Sequence, residues 1–435
     1  MFLFQNLYLR QLIAIIPAGL IAICCGIQLA YGIFNTTLSQ SGWMFDYSLA
    51  AIAMVPIAFH IASIFGSFLG CFLYYKTDIF WIHFTSSIFM IIGSILFAIP
   101  SNFFYIILTS RILTGFSFGI TFNTALIYIS EISSPSNRAR NLCIFNFNLV
   151  LGMFLQTCLQ RFQLIAGTIS LGLAIASLPI AYYKMPPSYV FLILNSRDSH
   201  DSFLYFQNNK MNSSYEDFKV SIMTETTKKL NLKSTQNIRS LGMVLMAAIG
   251  YFAVFNAFHN HLRLVFMKSY LMEFTEMSAM GCQLIGSFMI ILVIEELHKK
   301  WIFSSSAFMG AIILSGFGSI LILINFYYFI PAIFFLTFEF FIGFGLNAIC
   351  HILKAELFTL REKPFFVALS CMIQELLQIA ALIVVYSYGL SLGSNPLYWP
   401  FLFAPTVFVT GIFIMLYLKD TRMLSLMEVN KLYEK

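Results

Sequence analysis

Long apolar runs separated by short polar breaks dominate the chain, and the runs are continuous rather than alternating. Stretches of about 20 apolar residues match the thickness of a bilayer core. In lipid the backbone must pair within its own segment or within a closed barrel. Barrel strands would show period-two alternation, so these runs predict membrane-spanning helices. Twelve spans are expected, at 12–34, 48–74, 79–99, 103–130, 142–160, 163–183, 240–262, 272–294, 302–324, 326–355, 365–389 and 397–418. The first is too long and too lightly flanked for a cleaved signal peptide and is read as an anchor. The one long hydrophilic stretch, 184–239, divides six spans from six. The expected fold is therefore an all-α membrane protein with twelve transmembrane helices in two six-helix bundles. The first bundle occupies 1–183 and the second 240–418, with a cytoplasmic loop at 184–239 and a tail at 419–435. Within the loop, "KVSIMTETTKKLNLKS" suits short amphipathic helices at the membrane surface.

Composition agrees with this pattern. The 435 residues are 59% hydrophobic and 10% charged, with mean hydropathy +0.82. The formal net charge of +6 is unevenly placed. With the N-terminus in the cytoplasm, the inner side receives Arg10, Lys76, Arg138, Arg140, Lys299, Lys300, Arg361, Lys363, Lys419 and Arg422. The outer side receives Arg161, Arg263 and Lys268, with Arg111 near the outer end of span four. That bias puts both termini inside. The charge is a topology signal, and no nucleic-acid partner is expected. The eight cysteines lie mostly within spans and show neither a disulfide framework nor metal spacing. His259 and His261 are two apart and point to different faces, so no metal site is expected there. Asn35 opens a sequon on the outer side, close to the membrane. No motif of a hydrolytic enzyme stands near a span end, and no cofactor is expected.

Charges are scarce, so their spacing is informative. "YISEISSPSNRAR" ends span four, with Glu131 and Arg138 seven residues apart. "ILKAELFTLREKP" ends span ten, with Glu356 and Lys363 again seven apart. Both lie at the inner end of the fourth helix of a six-helix half, as parallel repeats of a transporter would place them. Span four also reads "RILTGFSFG", where Gly115 and Gly119 share a helix face suited to close packing. Arg111 opens this stretch, and a guanidinium at membrane depth needs a partner or an aqueous cavity.

These residues resemble the sugar porter family of the major facilitator superfamily, which includes facilitative glucose and trehalose transporters. The matching residues are Arg111, Gly115, Gly119, Glu131 and Arg138, with Gly345 and Glu356 in "GFGLNAICHILKAELF". "EELHKK" at 295–300, "KDTRMLSLMEV" at 419–429 and the segment from Met185 to Phe206 fit the same family. The resemblance implies a charge latch at the inner ends of the halves, made by Arg111, Glu131, Arg138, Glu295, Lys299, Lys300, Glu356 and Lys363. It also implies a polar site between the halves. Asn146, Asn256, Gln283 and Gln374 stand at amide positions of that site, and Tyr251, His351 and Glu375 stand at positions where the family has other residues. Departures occur at Tyr74 and Pro187, where the latch of the family has acids, and at Gly343, where the site has a Glu. The latch is thus expected to be weakened in the first half. Glu339, one turn before Gly343, is a candidate substitute. Glu375, deep in span eleven, is a functional-site candidate, and His351 is its expected titratable partner.

The expected function is carriage of a sugar or similar small polar solute by alternating access. Facilitated diffusion is the default, because the acid that symporters of the family carry on helix one is Gly32 here. The alternative is a non-transporting solute sensor or a degenerate carrier of the same fold. The remaining partner is membrane lipid, and the expected location is the plasma membrane.

Overall fold

The computed structural model describes residues 2–33, 49–99, 104–206, 215–216, 219–220, 222–223, 234–253, 272–323, 329–391 and 399–433. These residues are helical, with short turns and no strand among them. Among the described residues, eleven helices are long and apolar enough to cross a membrane. Spans one to six are Phe2–Ile33, Leu49–Lys76, Ile79–Ala98, Phe104–Ile132, Arg138–Cys158 and Gln163–Lys184. Span seven begins as Thr235–Ala248 and continues into a π-helical turn at Ile249–Ala253; the remainder of its expected range lies outside the described residues. Span eight is Met272–Val293 and span nine Lys299–Leu323. Span ten is built from Phe329–Phe341, a π-helical turn Ile342–Asn347 and Ala348–Glu356. Spans eleven and twelve are Lys363–Ser391 and Trp399–Tyr417.

The two halves pack alike. Span two lies against span four and span eight against span ten; span three contacts spans four and six, and span nine contacts spans ten and twelve. The halves meet where span two packs on span eleven and span five on span eight, a reciprocal pair of contacts. The closest approaches depend on glycine. A Cβ at Gly119 would strike the Ser63 carbonyl of span two, and one at Gly115 would strike that of Phe59. The spacing of these glycines thus serves helix packing. Serine hydroxyls join the remaining helices, with Ser94 Oγ 2.9 Å from Ser170 Oγ and Ser86 Oγ donating to the Ser117 carbonyl at 3.1 Å. Outward-facing side chains such as Phe65, Phe68, Ile312 and Leu402 are exposed and apolar, as a lipid-facing surface requires.

Several spans begin earlier than their hydropathy indicates. Span five was expected from 142 and starts at Arg138; span nine was expected from 302 and starts at Lys299. The extra turns carry buried charges, which hydropathy assigns to loops. Between the halves, helices Tyr189–Leu194 and His200–Phe206 pack against the end of the bundle that holds residues 132–138, here termed the charged end. Of the expected amphipathic stretch, only 219–220, 222–223 and Ser234 are described. The tail ends in a helix at Leu426–Leu432, capped where the Ser425 amide donates to Glu428 Oε2 at 2.7 Å.

Candidate functional site

Span four ends at Ile132, a turn follows, and span five opens at Arg138. Glu131 and Arg138 therefore sit on different helices, despite their closeness in sequence. The same break separates Glu356 from Lys363. The charges pair crosswise between the halves. Glu356 Oε1 accepts from Arg138 Nε at 3.1 Å, and its Oε2 accepts from Lys299 Nζ at 2.6 Å and from Thr421 Oγ1 at 2.9 Å. In the reciprocal position, Lys363 Nζ donates to Ser130 Oγ at 2.6 Å and its charge faces Glu131. Arg138 also donates to the Leu424 carbonyl at 2.8 Å, which binds the tail to both halves. These charged side chains are buried.

Of the two latch positions that depart from the family pattern, Tyr74 takes part in this network, and beside Pro187 it is Ser188 that does so. The Tyr74 hydroxyl donates to Glu131 Oε2 at 2.6 Å, and Ser188, next to Pro187, donates to the same oxygen at 2.5 Å. Hydroxyl donors thus occupy the surroundings of Glu131 where further acids were expected. Glu295 pairs with Arg140 at 2.6 Å rather than with the buried group, so Arg140 is more than a topology signal. Burial pushes the Glu295 carboxyl up, against the pull of Arg140.

Two residues expected in the latch lie elsewhere. Lys300 is not among the buried cations, and its ammonium lies 5.8 Å from the Trp301 ring. Arg111 lies toward the far end of span four, away from the charged end. Its Nη1 donates to the Gln28 carbonyl and its Nη2 to Gln28 Oε1, both at 2.5 Å, and the Tyr31 and Phe97 rings stand 4.6 and 5.1 Å away. The partner of this buried guanidinium is an amide in an aromatic box, which belongs to the first half alone.

A second polar cluster lies within the bundle. Glu375 Oε2 of span eleven is 2.6 Å from His60 Nδ1 of span two, and both side chains are buried. Glu375 Oε1 accepts from Gln374 Nε2 at 3.3 Å, while Gln374 Oε1 accepts from the buried Lys354 ammonium. The expected partner His351 packs edge-on against Phe122 of span four, with ring centroids 4.7 Å apart. Lys354 lies 5.8 Å from the same ring. Asn347, His351 and Lys354 follow one face of span ten at helical spacing. The structure thus gives Glu375 a different bonded partner from the one expected.

Other amides are buried within the bundle. Asn146 of span five and Asn347 of span ten are fully buried, and neither amide finds a side-chain partner among the described residues. Gln283 of span eight is also buried and faces the Tyr251 hydroxyl of span seven, which in turn lies in the field of Glu339. A Cβ at Gly343 would meet the Gln283 carbonyl, so span eight leaves no room for a Glu there. Asn256 lies outside the described residues. Among the described residues no group of His, Cys, Asp and Glu could hold a metal ion.

His60, Lys354 and Asn347 escaped the sequence reading. His60 interrupts an otherwise apolar span, a signal that could have been followed in the same way as Glu375. Lys354 was masked by its closeness to the end of a span, from which its long stem reaches inward.

Two pseudo-equivalent six-helix halves, joined by buried charges at one end and enclosing buried amides, define a multi-pass membrane transporter rather than an enzyme. A family model described as "Sugar (and other) transporter" matches residues 21–433. The chain belongs to that family, a sugar porter family of the major facilitator fold. No curated protein sequence matches it. Among solved structures it resembles the proton:xylose symporter XylE bound to 6-bromo-6-deoxy-D-glucose, with 13% identity, 99% of each chain covered and a TM-score of 0.83. XylE from E. coli in a partially occluded inward-open conformation is 12% identical, with 96% of this chain and 98% of that chain covered and a TM-score of 0.72. In its inward-open conformation the figures are 14%, 98% and 99%, with a TM-score of 0.65. At these identities the likeness is one of fold.

Proposed function

We propose that the protein carries a sugar, or a small polar solute with similar hydroxyls, across a membrane by alternating access. The observation that carries this reading is the pair of fully buried amides Asn146 and Asn347, one from each half, without side-chain partners among the described residues. A buried polar group without a partner costs roughly 1–3 kcal/mol, so a protein retains it where a ligand meets it. An amide supplies both donor and acceptor, which suits a hydroxyl that must give and receive a hydrogen bond. Gln283, Tyr251, His351, Gln374 and Glu375 complete the same zone.

In this reading the crosswise charge network is the latch of the cycle. Arg138 with Glu356, and Lys363 beside Glu131, hold the halves together at the charged end and must part when that end opens. The strong basic bias supports a cytoplasmic charged end with both termini there, and the plasma membrane is the location proposed. Hydroxyl donors around Glu131 favour a working latch over a degenerate one, and hence carriage over solute sensing. Alternating access alone gives facilitated diffusion.

The test is uptake of a labelled panel of hexoses, pentoses and polyols into oocytes with verified surface expression. Saturable uptake of one solute, competed by its close analogues, is the expected result. Uptake equal to that of uninjected cells for the whole panel would sink the reading.

A further inference from the structure

Spans five and eight lie side by side on the boundary between the halves and run in opposite directions. Their contacts recur every seven residues. Arg140 meets Glu295 at 2.6 Å, the Phe147 and Phe288 rings stand 6.2 Å apart, and the Phe154 ring lies over Gly281, where a Cβ would come within 3.5 Å of it. Span five thus presents positions 140, 147 and 154, and span eight positions 295, 288 and 281. A seven-residue repeat keeps one seam of each helix turned to its partner. Toward the far end the register closes on Gln160, whose Nε2 donates to Glu276 Oε2 at 3.1 Å. Both of these side chains are buried. From Arg140 to Gln160 the seam runs roughly 30 Å at 1.5 Å per residue, the thickness of a bilayer core.

The seam is polar at its two ends and apolar between them. Its middle does not interlock, because Gly281 presents bare backbone to the Phe154 ring. The halves can therefore rock about this level, whereas each end carries a bond that must break before that end parts. Hydrogen bonds weaken steeply away from their normal geometry, so a bond at the end of a rocking seam is either made or lost. Arg140 and Glu295 stand beside the latch at the charged end. Gln160 and Glu276 stand beyond the solute zone, roughly four turns from Asn146 on span five and two turns from Gln283 on span eight.

We propose that Gln160 and Glu276 form the far-end clasp of the carrier, made while that end is closed and broken each time it opens. This rests on the carrier reading and adds to it the residues that position the far end. The charge latch and the clasp then part in turn. Both are made in this structure, so bonds between the halves stand on either side of the solute zone. Gln160 and Glu276 do not meet the solute; they act through the spacing of the two helices. Gln160 is neutral, so a charge of either sign placed there acts on Glu276 in a defined direction.

The experiment uses the full chain in lipid nanodiscs, with distances between paired spin labels measured by pulsed electron resonance. Phe162→Cys with Phe274→Cys reports the far end, and Tyr182→Cys with Leu297→Cys the charged end; the four side chains are exposed, and each pair spans the two halves. Cys71, Cys158 and Cys282, the native cysteines that are not buried, are replaced by serine. Wild type is expected to show a short and a long distance at each end. Gln160→Glu sets two carboxylates together. It should raise the long-distance share at the far end and lower it at the charged end, changing the ratio about tenfold, as loss of a hydrogen bond to a charged group implies. Gln160→Lys should change both ratios in the opposite sense. Gln160→Glu combined with Glu276→Gln exchanges amide and carboxylate and should return both ratios to wild type. Gln160→Leu keeps the bulk without the amide and should act in the sense of Gln160→Glu, which covers a charged variant that does not fold. A merely structural role would not move the populations oppositely at the two ends. Ratios that none of these variants shifts, or that both charges shift in one sense, overturn the clasp and leave the carrier reading standing. One fixed distance at each end in every protein overturns alternating access, and the clasp with it.

Discussion

Arg138 of the first half donates to Glu356 of the second across 3.1 Å, and each is separated from its own sequence neighbour of opposite charge by a helix break. Repeated acid–base spacing thus yields bonds between repeats rather than within them. Glu356 is also bound by Lys299 and Thr421, so a single carboxylate gathers three elements. Removing it would leave two buried cations facing each other.

Glu356→Gln should therefore shift the carrier strongly toward opening at the charged end. Breaking a buried pair on one side costs about 3–5 kcal/mol. Accessibility of single cysteines introduced along the path, read with a membrane-impermeant reagent from each side, should change in opposite senses. Unchanged labelling from both sides would refute the latch.

Tyr74→Phe removes one of the two hydroxyl donors to Glu131 while keeping the ring. The expected loss is about 1.5–3 kcal/mol, as for a hydrogen bond to a charged group. Tyr74→Asp should be worse, because it sets a second carboxylate against Glu131. Thermal unfolding in detergent should rank wild type above Tyr74→Phe and that above Tyr74→Asp.

Asn146→Ala and Asn347→Ala should separate binding from stability. Truncating an amide with no side-chain partner should leave thermal stability unchanged or raised, since its desolvation cost disappears. Each should weaken solute affinity about tenfold, equivalent to roughly 1.4 kcal/mol. Equal losses of stability and affinity would make these amides structural.

Glu295 gives a pH dependence of stability. Its carboxyl is raised above its ordinary value of 4.5 by burial, despite the opposing Arg140. The native state thus favours the protonated form. This contribution is fully present below the ordinary carboxylate value and is lost as pH rises through the raised folded value. Between about pH 4 and pH 7 the wild-type melting temperature should fall relative to that of Glu295→Gln. Parallel curves would show that Glu295 does not titrate with folding.

Gly343→Glu restores the acid of the family pattern but has no space to hold it. The Gln283 carbonyl lies where the Cβ would stand, and span eight must move aside. Loss of folded protein at the membrane is expected, measured by size-exclusion profile, whereas Gly242→Ala, where a Cβ meets open space, should be harmless.

Apolar runs long enough for lipid, the basic bias, the repeated acid–base spacing and the glycine pairs were all legible along the chain. Each depends on local composition or on positions within one helix, and a bilayer demands both. The sequence by itself therefore determined the spans, their order, the two-fold repeat and the residues that carry charge at helix ends. Partner choice was not legible. Whether Glu131 meets Arg138 or Lys363, and whether Glu375 meets His351 or His60, depends on which helices cross at a given depth. A helix break of a few residues was enough to send neighbouring charges to opposite partners, and a hydroxyl at Tyr74 could serve where an acid was expected. Only the tertiary structure decided those pairings, because a buried charge is stabilised by what lies within about 3 Å of it in space, whatever its distance in sequence.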